Sequence, residues 1–253
     1  MLKFKTINIE LIALFLSLLI VLNYTLMFVV YNNYIGKIIV PIYVLTLIIF
    51  FIIQPTKHIV FKLSLIFLIL IAAGSPLTRW DAWAIWLFHA KRIFIEENFF
   101  ITLNNYTNLH NDYPLMMPSF AVSFAQFLNG WNIIFPKISI FFLYMPPLIY
   151  SLKIFDNLFI KVFLILTFIL LNEFLFNGYI DGLIAIYFSF SLYLSYDIFI
   201  KKNKGVINIA ICLFFLVILS LLKNEGFVLT FIIVSFALIY NILNFKRISF
   251  LDK

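Results

Sequence analysis

Eight nearly uninterrupted apolar stretches leave this chain few ways to fold: Glu10 to Val30, Ile38 to Ile53, Ile59 to Gly74, Trp131 to Leu152, Ile160 to Phe176, Ile180 to Ile200, Val206 to Leu222 and Phe227 to Leu243. In hydrocarbon every backbone N–H and C=O needs an internal partner, so only helices and closed barrels cross it, and a helix does so in roughly 20 residues. The stretches are continuous rather than alternating, which selects helices. Only 11% of the 253 residues are charged, against about 25% in soluble domains. The fold class expected is all-α: a polytopic transmembrane bundle of about eight or nine helices. It forms one transmembrane domain over residues 1–253, with three spans in 1–74, an outer loop with an interfacial helix in 75–114, and the remaining spans in 115–253.

The first stretch is too long for a secretory h-region, lacks a small-residue cleavage site, and reads as a retained span. Cys212, alone of its kind, lies in an apolar stretch and suits core packing, which excludes an intrachain disulfide and a cysteine metal cluster. A net charge of +7 would suggest nucleic acid in a soluble domain. Here the lysines gather between spans, where positive-inside bias accounts for them, and no nucleic-acid partner is expected. "MLKFK", Lys57 and Lys62, Lys201, Lys202 and Lys204, and Lys246 and Arg247 all belong inside, which makes the N-terminus cytoplasmic. Counting spans then puts residues 75–114, 178–181 and 223–226 outside. Four acids, Asp81, Asp112, Asp181 and Glu225, converge on that face. Parity requires an even number of crossings between Pro114 and Gly178, so Leu115 to Leu128 dips in or lies along the interface rather than crossing.

The stretch "RWDAWAIWLFHAKRIF" (79–94) interrupts this apolar pattern. At 100° per residue, Asp81, Ile85, Phe88 and Arg92 share one helical stripe, and Trp83, Trp86, Ala90 and Phe94 the opposite one. The second stripe suits the headgroup region, where indole rings are favoured, and holds Asp81 away from lipid. A plainer role for Asp81 is helix capping. "HNDYPLMMP" (110–118) sets Asp112 ahead of Pro114, again a capping position, and His110 with Asp112 makes a weak metal pair. "FNGYIDGL" (176–183) sets Asp181 at a helix start, and "LLKNEGFVL" (221–229) sets Lys223, Asn224 and Glu225 in a tight connection. Charges this near hydrocarbon usually have partners or a task.

"WDAWAIWLFHAK", "HNDYPLMMP", "YIDGLIAIY" and "LKNEG", in that order and spacing, resemble bacterial GT-C membrane glycosyltransferases, relatives of protein O-mannosyltransferases and the lipid A aminoarabinose transferase. The resemblance covers roughly Trp80 to Gly226. It implies transfer of a sugar from a polyprenyl-phosphate carrier to an acceptor, on a glycan, lipid or protein, at the outer face of a bacterial inner membrane. By the match, Asp81 takes the place of the aspartate beside the reacting centre, and Asp181 that of a second acid at the start of a later span. The chemistry needs a base for the acceptor proton and cations for the departing phosphate. Asp81 is the expected base. Lys91, Arg92 and Lys223 are the phosphate-binding candidates, and Asp112, Asp181 or Glu225 would orient the acceptor or a divalent cation. Arg79 and Lys91 serve equally well as headgroup anchors. In many relatives the key aspartate follows the first span, whereas Asp81 follows the third, and relatives continue beyond a "NFKRISFLDK" ending. A non-catalytic transporter or flippase subunit, or an inactive remnant, is the competing expectation. It calls for carboxylates or broken helices near the bilayer midplane.

Overall fold

The structure, a computed structural model, describes residues 8–54, 59–103, 110, 112–155, 157–202 and 205–251. "MLKFK", Lys57 and Lys204 lie outside the described residues, as do the side chains of Lys246 and Arg247. Among the described residues every regular element is helical. The long helices are α1 (Ile9–Val29), α2 (Ile35–Ile53) and α3 (Ile59–Gly74), then α4 (Leu87–Glu96) and α5 (Met116–Phe127). They are followed by α6 (Ile134–Leu143), α7 (Met145–Ile154), α8 (Leu158–Leu170), α9 (Asn172–Leu175), α10 (Asp181–Phe199), α11 (Val206–Leu222) and α12 (Asn224–Leu251). Five segments are long and apolar enough to cross a bilayer: α1, α2, α6 with α7, α10 and the first 20 residues of α12. α3, α8 and α11 are shorter and equally apolar.

Helix ends collect at two poles. At the proximal pole, where α1 begins, Lys153 of α7 forms an ion pair with Glu10 and donates to Asn208 Oδ1 of α11 at 3.0 Å. Lys62 of α3 donates to the carbonyls of Phe51 and Gln54 at 2.7 and 3.0 Å, satisfying orphan acceptors at the end of α2. At the distal pole Asn33 donates to Glu97 at 2.6 Å, and Gln126 Oε1 accepts the Gly36 N–H at 2.9 Å near the start of α2. Lys137 of α6 donates to the carbonyls of Ala73 and Ser75 where α3 stops. An apolar interior makes these caps necessary, because a helix end without water leaves its last carbonyls uncompensated.

Two interruptions shape the interior. Pro146 and Pro147 lack the N–H groups that would bond the carbonyls of Phe142 and Leu143, so α6 and α7 break at Tyr144. Tyr43 of α2 donates to Phe142 O at 2.7 Å, and Tyr187 of α10 to Leu143 O at 2.8 Å. Each proline has freed one carbonyl, and each carbonyl has found one buried phenol. The second interruption is α5. Its 12 residues span about 18 Å, short of the roughly 30 Å hydrocarbon core. Nearly all of it is buried, and both its flanks return to α4, with Tyr113 stacked on Trp86 and Trp131 beside Phe94.

Candidate functional site

Asp81 opens a single π-helical turn, Ala82–Trp86, before α4. The wider turn breaks the 100° projection from which a shared Trp83 and Trp86 stripe was expected, and the two rings part. Trp83 is 49% exposed and donates to Leu77 O at 2.6 Å, while Trp86 is 1% exposed. The placement of Trp86 in a headgroup stripe is therefore corrected: its indole is an interior wall, parallel to the Tyr113 ring at 5.4 Å. Gly178, in the connection before α10, has φ +101, and a Cβ there would collide with Ala82 Cβ. Glycine alone lets the 176–181 connection lie directly on the Asp81 turn.

Asp112 and Asp181 stand where capping residues would, yet neither caps. α5 starts from Leu115 and α10 from Ile180 without a side-chain cap, and Asp81 makes no capping bond either. Asp112 instead accepts from Asn224 Nδ2 at 2.8 Å, and Asp181 accepts from Lys223 Nζ at 3.1 Å. Glu225 meets the same ammonium at 3.3 Å. These bonds tie the segment before α5 and the start of α10 to the connection between α11 and α12. α11 and α12 meet there because Gly226 packs against Leu219 O, a gap no Cβ would fit.

The Lys223 ammonium lies 5.6 Å from the centre of the Tyr113 ring, which is sandwiched between Trp86 and His110, the latter at 4.6 Å. Burial pushes the Tyr113 phenol up; the Lys223 charge opposes this, while Glu225, Asp112 and Asp81 reinforce it. The phenol is thus held in its protonated form. Burial alone would lower the Lys223 pKa, but the hydrogen bond and charge of Asp181, with Glu225, raise it. Lys223 is a fully charged group already claimed by two carboxylates.

Of the expected site residues, Asp112, Asp181, Lys223 and Glu225 are gathered by bonds to Lys223 and Asn224, and Asp81 is near enough for its charge to act on the Tyr113 phenol. Asp81 is half-buried and has no hydrogen bond or ion pair among the described residues. Lys91 is exposed on α4, and the Arg92 guanidinium lies over Phe88 of the same helix at 6.0 Å. Among the described residues neither is bonded to Asp81, Asp112, Asp181 or Glu225. His110 stacks on Tyr113, and among the described residues no group of three potential ligands could hold a metal ion. Glu173 is exposed in α9. Tyr113, the hub of the arrangement, was not singled out from the sequence, although its place between Asp112 and Pro114 was the available signal. Comparison with protein-family models, curated proteins and solved structures returned no match.

Proposed function

We propose that the chain is a GT-C-type membrane glycosyltransferase, which moves a sugar from a polyprenyl-phosphate carrier to a glycan, lipid or protein acceptor at the outer face of a bacterial inner membrane. In this reading α1, α2, α3, α6 with α7, α8, α10, α11 and α12 cross the bilayer. The lysine-rich proximal pole is cytoplasmic, and α4 lies along the outer surface. The observation that carries the reading is the contrast among the acids. Asp112, Asp181 and Glu225 are each committed to a donor, whereas Asp81 beside them is uncommitted and able to accept a proton.

Asp81 takes the proton of the acceptor hydroxyl or amide as its oxygen or nitrogen bonds the anomeric carbon. The bond from that carbon to the lipid phosphate breaks, and the phosphate leaves with the electron pair. Lys223 and Asn224 fix the other carboxylates and keep them from competing for that proton. Asp112 and Asp181, so held, orient the acceptor.

The competing transporter reading draws on one specific observation, the broken α6 and α7 pair. Its freed carbonyls each accept from a buried phenol, Tyr43 or Tyr187, in the packed core, which weighs against a solute site there, and the enzyme is favoured. Asp81→Asn is expected to reduce sugar transfer in membranes by a factor of roughly 10² to 10⁴ at unchanged protein level. Transfer at the native rate would remove the base and with it the proposal.

A further inference from the structure

Arg79 differs from the other cations near this pole. Its guanidinium carbon lies 5.3 Å from the Phe174 ring centre and 5.9 Å from that of Tyr179. Its Nε is out of contact with water and has no acceptor. Among the described residues no carboxylate pairs with it, although Asp81 is two positions away. Lys223, in contrast, holds two acids. The aromatic segment under Arg79 also contains Asn177, buried, whose Nδ2 has no acceptor either. Two donors without acceptors thus belong to two segments packed on each other through Gly178 and Ala82.

Ring faces attract a guanidinium through its π surface and leave the N–H groups at its edge unused. Those edge groups match phosphate oxygens in pairs, and the stacked rings hold the fork in place before any anion arrives. Trp80 and Trp83, 59% and 49% exposed on the same turn, are the aromatic surface expected at headgroup depth.

We propose that Arg79, held by Phe174 and Tyr179, forms a binding site for a lipid-borne phosphate. The site rests on the membrane-surface placement of this pole given above, not on sugar transfer. Its ligand is a phosphate ester carried on a lipid tail, either a phospholipid headgroup or a polyprenyl phosphate.

The test uses the full chain in neutral detergent and native mass spectrometry, with dioleoyl phosphatidate, dioleoyl phosphatidylglycerol and a polyprenyl monophosphate. Diacylglycerol and polyprenol are the phosphate-free controls. Phosphate-bearing lipids are expected to bind, and Arg79→Gln to weaken them about tenfold or more with the controls unchanged. Weakening confined to polyprenyl phosphate identifies the donor carrier as the ligand, and weakening across all three identifies lipid phosphate in general. Equal binding by Arg79→Gln and the native chain overturns the site. Should Arg79→Gln not fold, an arginine-selective dicarbonyl applied to the native chain gives the answer: phosphate-bearing lipid is expected to shield Arg79 from labelling, and absence of shielding overturns the site. Asp81→Asn is expected to bind these lipids like the native chain, so loss of transfer and loss of this site are separable.

Discussion

At the scale of single residues, the pairing of Pro146 with Tyr43 and of Pro147 with Tyr187 shows how a sequence rule is completed by tertiary structure. Each proline removes one main-chain donor, and each phenol supplies one in its place. Tyr43→Phe or Tyr187→Phe keeps the ring and leaves a buried carbonyl without a partner. Each is expected to destabilise the chain by about 1 to 3 kcal/mol, measured as a lowered midpoint of thermal unfolding in detergent, and an unshifted midpoint in both would show that the hydroxyls are idle. The prolines are visible in the sequence, but which hydroxyls answer them is not, because Tyr43 and Tyr187 lie far along the chain on other helices. The same limit hid Tyr113. A tyrosine beside an aspartate and a proline looks ordinary until Trp86, His110 and Lys223 are brought round it.

At the scale of elements, the apolar runs were legible because hydrocarbon imposes helix on any long uncharged stretch, and the helices formed nearly where the runs lay. The break between α6 and α7 and the division of the run ending at Phe176 into α8 and α9 were not, since composition stays apolar across both. The π-turn escaped a fixed 100° projection, which is why Trp83 and Trp86 were wrongly set on one surface. For the short α5, parity predicts a dip rather than a crossing. A topology measurement checks it: in a Cys212→Ala background, cysteines at Thr78 and Leu128 are expected to react with an impermeant thiol reagent in intact cells, and a cysteine at Lys201 to be protected. Opposite reactivity at Thr78 and Leu128 would mean that α5 crosses. Cys212 itself is buried beside Ser195 and is a quiet position to vacate.

At the scale of the whole molecule, two polar poles bracket an apolar middle, and the distal one joins α5, α10 and α12 through Lys223 and Asn224. Loop order and charge bias set four acids on one expected face, and three of them, Asp112, Asp181 and Glu225, are bonded at one end of the structure. That three of them would be tied and Asp81 left untied was not legible in the sequence, because the ties to Asp112 and Asp181 reach across 112 and 42 positions and leave no local pattern. The ammonium of Lys223 has a raised pKa in the folded chain, so its contribution to stability is complete below the ordinary lysine value and fades only as pH climbs through the raised one. The difference in thermal midpoint between the native chain and Lys223→Met is expected to stay constant from neutral pH to that of free lysine, then to shrink at higher pH. A difference already shrinking near neutrality would mean that the ammonium is not held by Asp181 and Glu225.

The last helix, finally, is embedded on one flank only: it packs on α10 and α11, and only 11% of its apolar window is buried. Yet Asn224 and Glu225 ride on its first turn, with Lys223 at the hinge, and two clasps, one to Asp112 and one to Asp181, fasten it. Without those two clasps α12 would keep to the bundle through its packing on α10 and α11, so the few polar bonds at its first turn carry much of what fixes its position.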